Sequence, residues 1–281
     1  MCTNAQNGRC RVEMKRISTG WFYFLKIVAM VSMTISHTAE VLFAIDPELL
    51  GTKITFTCSL LGRFAFPIFA FLMIESFYFT KNRKQHLLSM GVLALITEPL
   101  FDIGFRNEHP LVFTEQALNS QNVIIPLFLS FLALSIADKL QNDKSILANT
   151  FHTECTRRAV CNILSVVALA IAPLISHILN CDYLWHGVLL VYGFALARKS
   201  KHPLFWQTVA LYFFMVVNME LTGSVYSSIP FTLVFLIPAQ SDIKMPNKFE
   251  EFARSKPLKF ICRYFYPLHF LVLAIVRIAM M

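Results

Sequence analysis

Two titratable side chains stand with ten residues between them in a mostly apolar stretch: Lys26 opens "KIVAMVSMTISH" and His37 closes it. His37 lies inside "TISHTAE", a run of small and polar residues that leaves room for a ligand or a close neighbouring helix. A histidine accepts a proton near neutral pH, which a general base must do. Arg63, in "LGRFAFPIFAF", cannot shed its proton and needs an anion or a water-filled cavity. It suits stabilising an oxyanion or holding a phosphate. Glu40, Glu75, Glu98, Asp102, His186 and His269 complete the set within apolar segments. His177, Asp182, Glu220 and Arg263 fall nearer segment ends, where contact with water explains them more simply.

Other chemistries lack their residues. No two histidines stand at i, i+3 or i, i+4, and HExxH is absent, so no metal is expected. There is no GxSxG elbow and no glycine-rich phosphate loop. The seven cysteines are odd in number and form no CxxC pair, as buried inert thiols would.

The elements that must position these groups are membrane spans. The chain of 281 residues is 56% hydrophobic and only 15% charged, with a mean hydropathy of +0.57. Apolar runs recur throughout without the polar faces of a soluble bundle. The reading is an all-α, polytopic transmembrane helical bundle of about nine spans. They cover roughly 21–45, 54–79, 87–105, 123–137, 160–179, 183–197, 204–221, 225–238 and 260–278. Spans four, six and eight are short. A polar cytoplasmic tail (1–20) precedes one multi-span domain (21–281). The first apolar segment reads as a span and not as a cleavable signal peptide, being too long and followed by no small-residue cleavage site.

Basic residues alternate between loops. They cluster before span one, in "TKNRK", between spans four and five, in "RKSK" and before span nine. "DPELLGTK", "RNEHP", "NCD" and "TGS" hold few. The positive-inside rule then puts the N-terminus in the cytoplasm. The net charge of +8 belongs to those loops, not to nucleic-acid binding.

Helical rise places Lys26 near the cytoplasmic end and His37 about 16 Å further out. Span two runs back, so Arg63 shares the level of His37 and Glu75 that of Lys26. Two pairs follow: His37 with Arg63, and Lys26 with Glu75. Pro67, Pro99 and Pro267 each put a bend beside an ionisable residue, as a buried polar cavity would require.

The blocks "FLKIVAMVSMTISH", "LGRFAFPIFAFLMIESFYFTKNRKQHLL", "ALITEPLFD", "QNVIIPLFLSFLAL", "DYLWHGVLLVYGF" and "YFYPLHFLVLAIV" occur in order over most of the chain. Together they resemble the TraX family, conjugal-transfer membrane proteins that acetylate the N-terminus of pilin. Lys-x10-His resembles the Arg/Lys-x10-His pattern of a wider group of membrane acyltransferases. Two departures stand out: Ser36-His37 replaces an Asp-His pair, and "NVIIPLFL" lacks the threonine of an "NVxFTL" block.

The resemblance implies a multi-pass protein of the bacterial inner membrane, with acetyl-CoA as donor and a pilin subunit as acceptor. In that frame His37 is the base and Arg63 the oxyanion or phosphate ligand. Lys26, with Glu75 positioning it, and Lys81, Arg83 and Lys84 attract the nucleotide. Ser36, Glu40, Glu98, Asp102 and His269 are further candidates, Glu40 as a substitute for the missing aspartate and His269 as a reserve base or partner. Membrane lipid is the surrounding partner. The alternatives are O-acylation of a glycan or lipid, an assembly protein without catalysis, and a proton-coupled transporter.

Overall fold

The computed structural model describes residues 16–106, 121–143, 145–147, 150–151, 153–222 and 228–280; nothing is said of the side chains at 219–222 and 228–231. The first fifteen residues of the expected tail, the loop after Arg106 and the side chain of Glu220 thus lie outside the described residues.

Local chemistry sets the helix starts. Ser18 accepts a hydrogen bond from the Trp21 amide and opens α1 (Thr19–Ile45). Asp46 caps α2 (Pro47–Gly62), with Pro47 preorganising its first turn. Then follow α3 (Ala65–Phe79), α4 (Arg83–Phe101) with a π-helical turn at Asp102–Arg106, α5 (Ile124–Asn142), α6 (Glu154–Ile178), α7 (Leu184–Arg198), α8 (Pro203–Thr222), α9 (Ser228–Gln240), α10 (Asn247–Arg254) and α11 (Lys256–Met280). The described residues contain one isolated bridge, Gln121 to Cys181, which joins the entry of α5 to the α6–α7 turn.

Each of the nine apolar segments is helical where described. Six are long and apolar enough to cross a membrane: α1, α2–α3 together, α4 with its π turn, α5, α6 and α11. Among the described residues α7 and α9 are shorter, and the apolar helix at Pro203–Asn218 within α8 is shorter too. The second expected span differs from a bent helix: it breaks into α2 and α3 around Arg63. A proline ring clashes with the carbonyl four residues back, and for Pro67 that is Arg63. Pro99 has a milder effect, the widened turn after Phe101. Pro267 is carried inside α11 without interruption.

α3 is buried nearly all round, as befits a helix apolar on every face. Phe71, Phe77, Phe131 and Phe194 form the closed centre with α5 and α7. Outward, α6 presents Ile163, Val166, Leu174 and Ile178, and α11 presents Phe260, Val272 and Ile275. Such apolar outer stripes suit lipid.

α1 and α2 cross closely. A Cβ on Gly62 would collide with the Cβ and Oγ of Ser36, and Ser32 Oγ donates to the Leu61 carbonyl at 3.0 Å. The small residues of "TISHTAE" therefore serve a near helix. Gly62→Ala should lower stability by about 1–3 kcal/mol through overpacking. Thermal unfolding of the detergent-solubilised protein measures this; an unchanged midpoint would show that the crossing relaxes freely.

Candidate functional site

The break after Gly62 leaves Arg63 at the junction of α2 and α3, half-buried, where it lines a cavity of about 350 Å³. His37, Ser36, Glu40 and Ser59 line the same cavity. A second cavity of about 280 Å³ is also walled by His37 and Glu40, with Phe101 and Phe105 beyond. The expected meeting of His37 and Arg63 at one level is thus realised.

For two neutral rings, the contacts of His37 and His269 are met by one pair of tautomers. His269 Nδ1 lies 3.3 Å from the Phe265 carbonyl, which can only accept, so Nδ1 carries the proton. In neutral His269, Nε2 is then an acceptor. His37 Nδ1 lies 3.1 Å from it and must donate. This leaves Nε2 of His37 as the basic nitrogen. The rings are nearly parallel, at 11°. Phe105 and Phe270 flank His37, each with ring centroids 5.1 Å away.

Ser36 takes no part in that pairing. Its hydroxyl donates to Glu40 Oε1 at 2.9 Å, and Ser59 donates to the same oxygen at 3.0 Å. Glu40 thus ties α1 to α2 and leaves the orienting contact of His37 to His269.

The α6–α7 turn closes the wall. Asn180, Tyr183 and Leu184 adopt positive φ of 51°, 61° and 42°, costly for residues with side chains. Tyr183 stacks on Phe66, with centroids 4.3 Å apart. The Asp182 amide donates to the Gln121 carbonyl at 2.9 Å, and Ser176 Oγ to the Leu184 carbonyl at 2.7 Å. The turn brings Asp182, His186 and, from α8, Asn218 to the cavity. Placing Asp182 at a span end was sound, but that end faces the site.

The expected Lys26–Glu75 pair does not form. Glu75 accepts from Arg198 Nε at 2.5 Å, and both side chains are buried, at 2% and 7% exposure. The face of α3 explains this. Phe71 meets Phe194, and one turn on in each helix Glu75 meets Arg198. Lys26 instead lines a cavity of about 190 Å³ with His86, Arg263 and Tyr266.

Arg83 is a strut. It donates to Asp138 at 2.5 Å and to the Phe77 carbonyl at 3.1 Å, over the Phe77 ring. Lys81 and Lys84 are exposed. Glu98 accepts from both the amide and the side chain of Asn122, joining α4 to α5. Asp102 is buried at the π turn. Neither lines the two His37 cavities. Sequence reading missed Arg198, which resembles one more basic loop residue in "ARKSK", and Asn122. Among the described residues, no three His, Cys, Asp or Glu side chains are placed to hold a metal ion.

Fold and site together define a helical protein with membrane-spanning character, in which a histidine backed by a second histidine shares a polar cavity with an arginine. Residues 23–277 match the family model described as "TraX protein", and the chain belongs to the TraX family. A relative from Dichelobacter nodosus, "Probable fimbrial assembly protein FimC, serogroup H1", is 23% identical over 259 residues, covering 89% of this chain and 92% of the relative. No solved structure matches.

Arg198→Ala strands a buried carboxylate and should lower the unfolding free energy by about 3–5 kcal/mol. Lys26→Met should cost much less, with thermal unfolding in detergent as the measure. Equal losses would mean that Lys26 shares the Glu75 charge.

Proposed function

We propose that this chain is a multi-pass acyltransferase of the bacterial inner membrane that transfers acetyl from acetyl-CoA to the N-terminal amine of a pilin subunit. The observation that carries the reading is His37, paired behind with His269, sharing one polar cavity with Arg63. Family membership and the fimbrial assembly relative support the pilus context. In this reading the chain crosses nine times with its N-terminus in the cytoplasm. The gathering of Arg16, Lys201 and Lys244 around one cavity supports that orientation.

The acceptor nitrogen attacks the thioester carbonyl carbon as His37 Nε2 takes its proton. Charge builds on the carbonyl oxygen, and Arg63 stabilises it. The C–S bond then breaks, and the imidazolium returns its proton to the departing thiolate. The amide leaves without the positive charge of the free terminus. His269 does not touch the reacting atoms. It holds the His37 tautomer, the task that an aspartate before His37 would perform. The buried Glu75–Arg198 pair fixes α3 against α7, while Lys26 lines the route by which the donor enters.

Intact mass of a pilin subunit co-expressed with the wild type, with His37→Ala and without this chain tests the reading. One acetyl group only with the wild type is expected. An identical pilin mass in all three overturns it, and an acylated glycan found instead would favour the hydroxyl-acceptor alternative.

His269→Phe should reduce the acetylation rate by about 10²–10⁴-fold while His37 remains. His269→Asn, whose carbonyl can accept from His37 Nδ1, should recover part of the loss. Equal rates for the two variants would assign His269 a packing role.

A further inference from the structure

The largest cavity among those described, about 750 Å³, lies far from His37, at the N-terminal end of α1. Its walls come from the start of α1, the α7–α8 turn and the segment from α9 into α10. Trp21 Nε1 donates to the Ile243 carbonyl at 2.8 Å and pins that segment to α1. Buried Arg198, already held by Glu75, contributes to the wall. Arg16, Lys201 and Lys244 add three exposed cations that form no ion pair with the described residues. The acidic members of the lining are Asp242 and Glu250. The size suits an organic ligand, and the cations suit an anionic one.

This cavity does not stand alone. A smaller one of about 150 Å³ shares Arg16 and Ile17 with it and is also lined by Phe22, Ser76 and His86. Those three residues also wall the 190 Å³ cavity that contains Lys26. That cavity reaches Phe265 and Tyr266 of α11, whose rings lie against His269. A wide basic chamber, two narrow cavities and the back of the histidine pair thus lie in succession, each sharing wall residues with the next. The ligand that fits such a succession has a bulky phosphorylated end and a slender arm.

We infer that the chamber of Arg16, Lys201, Lys244 and Trp21 is the docking site for the phosphorylated nucleotide of the acyl donor, with the arm lying past Lys26 toward His269. The inference rests on the acyl-CoA reading above, and it moves nucleotide binding away from Lys81, Arg83 and Lys84. Phosphate oxygens accept from the three cations, and the thioester end is directed toward His37. Lys26 donates to carbonyl oxygens along the uncharged arm.

The test is calorimetric titration of the full-length protein in lipid nanodiscs with coenzyme A. The variants are wild type, the triple variant Arg16→Gln/Lys201→Gln/Lys244→Gln, and the control Lys248→Gln/Lys259→Gln. The control removes cations from the same basic region without touching the cavity lining. The triple variant should bind at least about tenfold more weakly and lose much of its salt dependence. The control should match the wild type. All three altered side chains of the triple variant are exposed, and Arg16→Lys/Lys201→Arg/Lys244→Arg, which retains the charges, should restore most of the affinity. If wild type and triple variant bind coenzyme A equally, or the control weakens as much as the triple variant, this location is overturned while the acyl-CoA reading stands. If the wild type does not bind coenzyme A, both fall.

Discussion

The crossing of α1 and α2 fixes everything downstream of it. Gly62 lies so close to Ser36 that no side chain fits between them, and Ser32 is bonded to the Leu61 carbonyl. Backbones at this separation cannot slide without losing both contacts. The next residue, Arg63, is thereby left at the end of α2, on the wall of the cavity that His37 also lines. The Pro67 break then lets α3 leave at a new angle and pass through the centre of the bundle. One small residue and one proline convert a long apolar run into a hinge that holds a cation beside a base.

Around that hinge, several buried polar groups are paired across helices. Glu75 and Arg198 neutralise each other within the core. Glu40 gathers two hydroxyls at the helix crossing, and Glu98 joins two helices through Asn122. Arg277 donates to the Gly104 carbonyl at 2.9 Å, supporting the π turn. A transmembrane bundle has little water with which to satisfy stray groups, so such contacts set helix rotation as well as stability. The His37–His269 contact differs: it engages one nitrogen of His37, whose side chain also lines a cavity.

The helices were legible because apolar runs of this length have few alternatives, and the shared level of His37 and Arg63 followed from helical rise alone. Level, however, says nothing about azimuth. Lys26 and Glu75 were matched in depth, but Glu75 looks toward α7 and Lys26 toward α4 and α11. Azimuth is set by packing between Phe71 and Phe194, which no local pattern reveals. Arg198 was hidden by its basic neighbours, and Arg83 read as a free cation although Asp138 holds it. His269 lies 232 residues from His37, so its candidacy could be read but its partner could not. Asp182 was dismissed as a span end because the strained turn that aims it at the cavity carries no glycine signal.

The Ser36 position shows how a departure from a motif can be physically consistent. A larger acidic side chain there would have to share the space against Gly62. Serine fits and bonds to Glu40, and the orienting contact passes to α11. Phe265 and Tyr266, which wall the inner cavity, also lie against His269. Met30 belongs to the inner cavity and Met33 to the outer, a separation of one helical turn. Under the acyl-transfer reading, only a small acyl group has to pass this aromatic collar. Because His269 belongs to the collar and also holds the His37 tautomer, a donor arm that displaced the collar would disturb the base. Entry of the donor and readiness of the base are then coupled through one side chain, which an aspartate beside His37 on α1 would leave independent.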